Sequence, residues 1–374
     1  MIATSRESEQ SPSERVKRHS VIQALHRGGI SSRFQLARQL GISNSRICDL
    51  VEEMVEEGML REEQVGEQRR GRRGVGVRLN PKFGHLLGFD MEAKRLRLVV
   101  TNFAGQVVFE TRKSLRPARQ RDAFLAQIMD FLRETVAEVR PRFNKLLGIG
   151  LAASGVIDLE RGVILHYDPV PQAVNLPLRD MVRKELKLPC VMENNIRAMT
   201  LAEWTSGAAK GLRTFVCLAV RSGVGAGVVI DGRLISGSHG YCGETGYMVI
   251  PAGDRMAKWK SLQQTVSETA LGLDIEADGF EVPTAMARRA GELLGSQLAS
   301  IAALLDPQAI VLAGGMLNPD GLVWPFVVET FARKALRELA EQVPLVPAKL
   351  GPFAAAQGAA HRCMYELYPV AADA

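Results

Sequence analysis

The sequence lacks the features that mark several classes of protein. Its 374 residues include no apolar run approaching the roughly 18 residues that cross a membrane. The first 14 residues are polar and do not follow the basic-then-apolar order of a signal peptide. The five cysteines are scattered, with no Cys-x-x-Cys pair, so neither a disulfide framework nor a cysteine zinc site is favoured. We therefore expect a cytoplasmic protein with reduced thiols, no membrane segment and a disordered lead-in at residues 1–14.

What the sequence does contain is enough ordinary globular material for more than one domain. Hydrophobic residues make up 46% and charged residues 24% of the chain, as in soluble proteins with a packed core. The length predicts two or three domains. The net charge of +6 permits a polyanionic partner without requiring one, so the position of the basic residues is more informative than their number.

Residues 15–80 are predicted to form a winged helix-turn-helix domain. Ser32 precedes Gln35 at the spacing of a capping box, and Gly41 is the residue type that usually ends a helix. Ser43 then stands where it can cap the next helix. Apolar residues recur at helical spacing on both sides of this turn. The pattern predicts three short helices, one at 15–27, one between Ser32 and Gly41, and a recognition helix at 44–57.

The outer face of the recognition helix carries polar residues. If Ile47, Leu50 and Val51 are buried, the side chains near the helix start can reach base edges in the major groove, where Asn reads adenine and Arg reads guanine. The alternative is a helical hairpin with no role in DNA binding. The predicted DNA-contacting residues of this helix are Ser43, Asn44, Ser45, Arg46 and Asp49.

A basic hairpin is predicted to follow the recognition helix. Residues 69–78 contain five arginines and no acidic residue. A charged run of this kind is usually a solvated surface. Directly after a recognition helix, however, a hairpin occupies the position of a wing, which contacts phosphates or the minor groove. The arginines near its tip are therefore predicted to contact double-stranded DNA: Arg69, Arg70, Arg72 and Arg73.

Beyond Pro81, strand patterns alternate with helix patterns. The order strand, strand, strand, helix, strand occurs twice and predicts two related α/β lobes with a cleft between them. We place the first lobe at 84–194, completed by a C-terminal helix at 355–368, and the second lobe at 195–354. The clearest predicted strands are 85–89, 96–100, 107–109, 147–152, 214–220, 224–230 and 309–313, and the clearest predicted helices are 121–139 and 284–305.

Several ordered motifs in the chain resemble those of the ROK family, which groups bacterial sugar-responsive repressors with sugar kinases. The matching stretches are Gly150–Asp158, Glu193–Ala198, Leu201–Glu203, Ser222–Gly227, Gly240–Tyr247 and Ile310–Gly315. The resemblance implies a two-lobed, actin-like (ribonuclease-H-type) ATPase fold after the winged helix-turn-helix. The helix-turn-helix itself is a feature of the repressor branch.

The resemblance also implies what a kinase of this family needs, and the chain departs from it. Its first phosphate loop begins Asp90-Met91-Glu92 with no glycine, and the charge of Glu92 would repel phosphate. Asn195 replaces the family's catalytic aspartate and cannot accept a proton near neutral pH. The family's zinc ligands are missing, because Tyr247 replaces a histidine and residues 251–264 contain no cysteine. We therefore predict no kinase activity, no metal and no cofactor.

Two features leave alternatives open. Gly223, Gly225 and Gly227 match a second phosphate loop, but glycines there could persist as tight turns at strand ends. The family's sugar-contacting positions carry polar residues here, which predicts a carbohydrate effector, although these side chains could instead satisfy one another in a vestigial pocket. The implied effector-binding residues are Gly155, Asn194, Asn195, Glu244, Tyr247 and Gln263.

Together these patterns predict a transcriptional regulator, a repressor that binds its operator as a homodimer or homotetramer. A carbohydrate bound between the lobes would change the affinity for DNA by stabilising one of two states. Two other hypotheses remain. One is an active sugar kinase with a DNA-binding appendage, and the other is a DNA-binding protein that responds to no ligand.

Overall fold

The computed structural model describes residues 12–65, 74–116, 120–143, 145–251, 259–273 and 282–367. These residues form an N-terminal head of three helices and a hairpin (residues 12–79), followed by a body built on two five-stranded sheets. Within the described ranges, no helix is both long enough and apolar enough to cross a membrane.

The head has the three helices and the antiparallel hairpin that the sequence predicted. Ser32 and Gln35 form a capping box, in which the Gln35 backbone N–H donates to Ser32 Oγ at 3.2 Å and the Ser32 backbone N–H donates to Gln35 Oε1 at 2.9 Å. Gly41 ends the second helix in the left-handed conformation, with φ 66°. The elements of the head are α1 (Pro12–Gly28), α2 (Arg33–Leu40), α3 (Asn44–Glu56), β1 (Leu60–Val65) and β2 (Gly74–Leu79).

The start of α1 corrects one expectation. The polar lead-in was expected to be disordered through residue 14, but α1 already begins at Pro12. Proline is favoured in the first turn of a helix because its missing N–H would have no helical partner there. This local signal outweighs the polar composition of Pro12–Glu14, and residues 1–11 lie outside the described ranges.

The hairpin is held against the helices of the head by backbone hydrogen bonds. Ser31, just before α2, and Val77 in β2 exchange two N–H···O bonds of 3.0 and 2.7 Å. Strands β1 and β2 pair from Leu60–Leu79 to Val65–Gly74. The hairpin is therefore anchored beside the start of α2.

The body shows the predicted alternation of strands and helices. Its elements are, in chain order, β3 (His85–Met91), β4 (Arg95–Asn102), β5 (Val107–Ser114), α4 (Arg121–Val139), β6 (Leu146–Ala153), β7 (Val156–Asp158), β8 (Val163–His166), α5 (Leu178–Leu186), β9 (Cys190–Asn194), α6 (Asn195–Ser206), β10 (Phe215–Val220), β11 (Val224–Ile230), β12 (Arg233–Leu234), β13 (Val249–Pro251), β14 (Trp259–Ser261), α7 (Gln263–Val266), α8 (Glu268–Leu271), α9 (Thr284–Leu305), β15 (Ile310–Ala313), α10 (Trp324–Lys334), α11 (Arg337–Gln342), β16 (Leu345–Pro347) and α12 (Ala354–Leu367).

The two large sheets of the body share one topology. Their strand orders are β5-β4-β3-β6-β9 and β12-β11-β10-β15-β16. In each sheet the first three strands in sequence form an antiparallel meander, and the fourth and fifth strands run parallel to the first. This repetition confirms the prediction of two related α/β lobes.

Glycines allow α12 to pack in backbone contact with the first sheet and with α6. A Cβ atom on Gly88 or Gly150 would lie 1.9 or 1.8 Å from a carbonyl oxygen of α12. A Cβ atom on Gly358 of α12 would lie 1.6 Å from the carbonyl oxygen of Ala198 in α6. No side chain fits at these three positions, so α12 packs tightly between the first sheet and α6. In turn, α6 contacts β10 and β11 of the second sheet.

The head and the body share one continuous hydrophobic core. It runs from Val21 and Leu50 in the head, through Phe103, to Trp204 and Ala355 in the body. Because residues of both parts belong to this one cluster, the head is packed onto the body rather than tethered to it.

Polar contacts around α1 reinforce this junction. His26 Nδ1 lies 2.9 Å from the hydroxyl oxygen of Tyr365 in α12, and the His26 ring meets the edge of His361, with ring centroids 4.4 Å apart. The guanidinium of Arg27 stacks 3.7 Å from the ring centroid of Trp204 in α6. Burial, together with His361 and Arg27, lowers the pKa of His26 well below its ordinary value. We infer that α1 is the element through which the head contacts both α6 and α12.

Candidate DNA-binding surface and ligand cleft

The exposed face of α3 carries the polar residues that the sequence singled out. Four apolar side chains bury its inner face: Ile47, Leu50, Val51 and Met54. Ser43, Asn44, Ser45 and Asp49 are exposed and Arg46 is half-buried. Ser43 also caps the helix, because its Oγ accepts the Arg46 backbone N–H at 3.4 Å. The start of α3 therefore presents short hydrogen-bonding side chains to solvent, the arrangement needed to read base edges.

The predicted wing contacts cannot be placed. Arg69, Arg70, Arg72 and Arg73 lie outside the described residues. The strands that lead to them are described, and β1 and β2 carry an ion pair between Arg78 and Glu63 at 3.1 Å. The role of the four tip arginines stays a prediction from the sequence.

A cavity of about 420 Å³ lies between the two lobes of the body. One wall comes from the loops after β6 and β8 and from the start of α6, and the other comes from the β10–β11 turn, residues 242–247 and the helices α7 and α8. We call this cavity the cleft. The structure brings all six candidate effector-binding residues to it: Gly155, Asn194, Asn195, Glu244, Tyr247 and Gln263.

Two asparagines fix the start of α6 at the floor of the cleft. Asn194 Oδ1 accepts the backbone N–H groups of Ile196 and Arg197 at 2.9 and 3.2 Å, as an N-cap does. Asn195 Nδ2 donates to Ser154 Oγ at 2.9 Å, and Ser154 Oγ in turn donates to the carbonyl oxygen of Met91 at 2.8 Å. The Asn195 amide thereby ties α6 to the loop after β6. An aspartate carboxylate could not be the donor in this bond, and could pair with Ser154 only if the hydroxyl gave up its bond to Met91.

The opposite wall supplies further polar groups. Burial raises the pKa of the Glu244 carboxyl. Burial, together with the charge of Asp168 across the cleft, raises the pKa of the Tyr247 phenol, which is also hydrogen-bonded to Gln263. Gly155 stands at φ 101°, and a Cβ there would lie 2.4 Å from the carbonyl oxygen of His166, so the loop can close only around glycine. With donors and acceptors on both walls, the cleft suits a ligand rich in hydroxyl groups.

Four charged side chains form a buried cluster beside the cleft. Arg221 Nη2, from the β10–β11 turn, donates to Asp90 Oδ2 at 2.7 Å and to Glu92 Oε2 at 2.8 Å. Arg97 Nη1, from β4, donates to Glu92 Oε2 at 2.7 Å and lies 3.4 Å from Asp90 Oδ2. We call these four residues the charge quartet, and its formal charges sum to zero. Because Arg221 belongs to the second sheet and the other three to the first, the quartet joins the two lobes.

The quartet sets the ionisation of Glu92. Burial alone would raise the pKa of this carboxyl, but Arg221 and Arg97 outweigh that effect and lower the pKa to about 2. The same carboxylates raise the pKa of Arg221 although its burial opposes this. Glu92, Arg97 and Arg221 are therefore charged at neutral pH. The repulsion of phosphate expected from Glu92 alone does not apply, since guanidinium groups surround its carboxylate.

A second cavity, of about 370 Å³, lies on the other side of the quartet. Arg221 contributes to the walls of both cavities. The Gly314–Gly315 turn after β15 and the prolines Pro319 and Pro347 form part of its lining. Among the residues that the structure describes, no group of three or more His, Cys, Asp or Glu side chains is placed to hold a metal ion.

Sequence reasoning missed four side chains in this region. Arg97 was read only as part of the predicted strand 96–100, and no role was predicted for Arg221. His166 and Asp168, which line the cleft and lie 2.5 Å apart, were not considered.

The fold and the cleft together define a class of protein, a head of three helices and a hairpin on a two-lobed, actin-like ATPase-type body. Residues 86–363 match the model of the ROK family. The chain belongs to the ROK family, in agreement with the resemblance seen in its motifs.

Two relatives show how far the similarity extends along the chain. The xylose repressor of Caldicellulosiruptor bescii is 28% identical over 254 residues, which are 67% of this chain and 63% of that repressor, so the match spans slightly less than two thirds of its length. The N-acetylglucosamine repressor of Escherichia coli is 22% identical over 359 residues, which are 88% of each chain.

Solved structures of both branches share the fold. A ROK family transcriptional regulator described as a homolog of the E. coli MLC protein superposes with a TM-score of 0.78 at 21% identity, covering 95% of this chain and 98% of that one. A ROK family glucokinase from Streptomyces griseus, in complex with glucose and AMPPNP, superposes with a TM-score of 0.63 at 23% identity and covers 75% of this chain and 99% of the kinase. The regulator thus matches head and body together.

Proposed function

We propose that this protein is a transcriptional repressor that binds DNA through its head and responds to a carbohydrate held in the cleft. One observation carries the proposal: helix α6 begins in the cleft and ends beneath the head. Its N-cap, Asn194, and its first residue, Asn195, line the cleft. Trp204, in its last turn, is covered by Arg27 of α1. Over its 12 residues α6 spans about 18 Å.

This arrangement gives ligand binding a physical route to the head. A ligand that bridges the two walls of the cleft stabilises one separation of the lobes over others. The start of α6 is part of the wall that the loops after β6 and β8 form, so it moves with that wall. Helix α12 moves with α6 because their backbones touch at Gly358. Both helices contact α1, through Trp204 and Tyr365, so the orientation of the head is coupled to the state of the cleft.

The relatives point in the same direction. Those described above are named a xylose repressor and an N-acetylglucosamine repressor. A repressor of this kind reads two half-sites when two copies place their α3 helices in successive major grooves. We therefore include a homodimer or homotetramer in the proposal.

The cleft geometry also supports binding without phosphoryl transfer. Asn195 is an amide that is used as a donor to Ser154, so it offers no base for a substrate hydroxyl. Arg221 crosses from the second sheet to Asp90 and Glu92, and this ion cluster stands where a kinase of the family would have a glycine-rich phosphate loop. We expect no ATP turnover with any sugar, and a measurable rate that depends on the residue at 195 would overturn this part of the proposal.

The DNA-binding role is tested at α3 and at the wing on an operator identified by genomic footprinting. We expect Asn44→Ala to weaken operator binding by about 5- to 150-fold with little effect on unrelated DNA, because one base contact contributes about 1–3 kcal/mol of discrimination. We expect Arg72→Ala with Arg73→Ala to weaken both kinds of DNA and to reduce the slope of log affinity against log salt by about two. Fluorescence anisotropy at several salt concentrations measures both effects.

The matched control is Arg333→Ala, which removes an exposed arginine in the last turn of α10, on the body. It should leave affinity and salt slope unchanged. If Asn44→Ala behaves like this control, α3 is not the reading helix. An unchanged slope of log affinity against log salt in the double arginine variant would mean that Arg72 and Arg73 do not contact DNA phosphates.

The effector role is tested at Glu244, with titration calorimetry against a panel of sugars followed by operator titration with and without the sugar that binds. We expect Glu244→Gln to weaken the binding of that sugar by about 10- to 150-fold, since a hydrogen bond to a charged group contributes about 1.5–3 kcal/mol. Operator affinity without sugar should remain as in the wild type. Glu110→Gln, at an exposed position of β5, is the control. If the operator affinity is the same with and without every sugar of the panel, the result would instead favour a regulator that responds to no ligand.

A further inference from the structure

The side chains that line the cleft carry more negative than positive charge. Four side chains along its walls can carry charge: His166, Asp168, Arg221 and Glu244. Arg221 is the one arginine or lysine among the described residues of the lining. Its Nη2 is already engaged with Asp90 and Glu92 inside the neutral quartet, and its Nη1 has no hydrogen-bond partner but is buried away from the cleft surface. The remaining groups are two carboxylates and one imidazole.

The imidazole of His166 does not offset the negative charge of the two carboxylates. His166 Nε2 lies 2.5 Å from Asp168 Oδ1, so even a protonated His166 would do no more than neutralise its own partner. Glu244, on the opposite wall, is half-buried and has a carboxyl pKa raised by burial. Tyr247 lies close enough to both carboxylates that each raises the pKa of its phenol. A ligand in the cleft therefore meets negative charge from both lobes.

The start of α6 does not supply the missing positive potential. The N-terminus of a helix binds anions when its first N–H groups are open. Here the N–H groups of Ile196 and Arg197 are both taken by Asn194 Oδ1, at 2.9 and 3.2 Å. The Arg197 side chain is likewise engaged, because its Nε donates to Glu193 Oε1 at 2.7 Å.

We propose that the cleft takes an unphosphorylated ligand, a hydroxyl-rich molecule that is neutral or carries an amine, and rejects the phosphate ester of the same molecule. The inference rests on the proposed function, whose effector it narrows. A phosphate ester carries close to two negative charges at neutral pH. It would be desolvated between Asp168 and Glu244, and the one arginine among the described lining residues, Arg221, has Nη2 taken by carboxylates and Nη1 buried. Free hydroxyls, by contrast, can donate to both carboxylates and accept from the amides.

The test is calorimetry on the full-length protein with matched pairs of ligands at pH 8 and fixed ionic strength. The pairs are glucose, glucosamine and N-acetylglucosamine with their 6-phosphates, and xylose with its 5-phosphate. We expect at least one free sugar to bind, and its phosphate ester to bind at least about tenfold more weakly. A phosphate ester that binds as tightly as its free sugar, or more tightly, overturns the inference while the proposed function stands.

A charge-removing variant separates the cause from simple lack of space. Asp168→Asn with Glu244→Gln keeps the volume and removes both charges, so the ratio between the affinities for the free sugar and for its phosphate should fall at least about threefold. Glu110→Gln, on β5, should leave that ratio unchanged. A ratio that stays the same in the double variant overturns the electrostatic argument. If no free sugar and no phosphate ester binds, although thermal unfolding shows that the protein is folded, the proposed function itself is overturned.

Discussion

Arg221→Met is expected to lower the free energy of unfolding of the full-length protein by about 3–5 kcal/mol, the usual effect of removing one partner from a buried ion cluster. The variant leaves Asp90 and Glu92 facing Arg97 alone. Asp90 is wholly buried and Glu92 is 7% exposed, so water cannot take the place of the lost guanidinium. Thermal and urea unfolding of both proteins measure the difference.

The pH dependence of that difference identifies its origin. Glu92 has its folded-state pKa lowered from 4.5 to about 2, so in the wild type it contributes stability that is present above pH 4.5 and is lost as the pH falls towards 2. Without Arg221 this pKa rises. The difference in the free energy of unfolding between the wild type and Arg221→Met should therefore be largest at neutral pH. It should become smaller as the pH falls from 4.5 towards 2.

Two further variants make this prediction specific to the quartet. Adding Glu92→Gln to Arg221→Met restores a balance of one acid and one base, and we expect it to recover at least about half of the lost stability. Arg337→Met removes a partner from an exposed pair, in which the Arg337 side chain is 85% exposed, and should change stability by less than about 1 kcal/mol. A loss no larger than that of Arg337→Met would mean that the quartet does not hold the lobes together.

Gly358→Ala is expected to lower the free energy of unfolding by about 2 kcal/mol or more, the upper end of the overpacking cost less the gain in helix propensity. The added Cβ would lie 1.6 Å from the carbonyl oxygen of Ala198, which is backbone and cannot rotate away. The helices α6 and α12 would have to separate, and overpacking of this kind costs about 1–3 kcal/mol and sometimes more. That cost exceeds the gain of up to about 1 kcal/mol that alanine brings to a helix interior.

Gly28→Ala is the matched control for this prediction. Gly28 is the last residue of α1, and a Cβ there would meet no atom within 4 Å. The substitution should be neutral or slightly stabilising. Circular dichroism melts of the two alanine variants compare them directly, and equal midpoints would contradict the close contact between α6 and α12.

Some of the fold could be predicted because the signals are local. The capping box at Ser32, the left-handed Gly41 and the apolar period of 121–139 each act within a few residues, and α2, α3 and α4 begin and end where these signals place them. The helices α10 and α11 and the short strands β7, β8 and β16 were not predicted. The sequence of α10 does carry a first-turn proline and apolar residues at helical spacing, Trp324, Val327 and Phe331, which our prediction overlooked. The other four elements are too short for a period to show, and packing determines their conformation.

The candidate site was less predictable from the sequence than the fold. The six effector residues come from four separate segments, and motif resemblance, not periodicity, brought them together. The pairing of Arg221 with Asp90 and Glu92 joins positions about 130 residues apart, and nothing local in one sequence indicates such a partner. The same holds for Asp168, whose importance follows only from its position opposite Glu244 in the cleft.

The shared core of head and body bears on how this protein could be re-engineered or could exchange parts in evolution. Many regulators behave as modules, in which a DNA-binding unit can be cut off or grafted onto another sensor. Here the inner face of α1 is completed by α12, through His361 and Tyr365, and by Trp204 of α6. A graft of residues 12–80 alone would expose that apolar face, so a working chimera has to carry the matching surfaces of α6 and α12 along with the head.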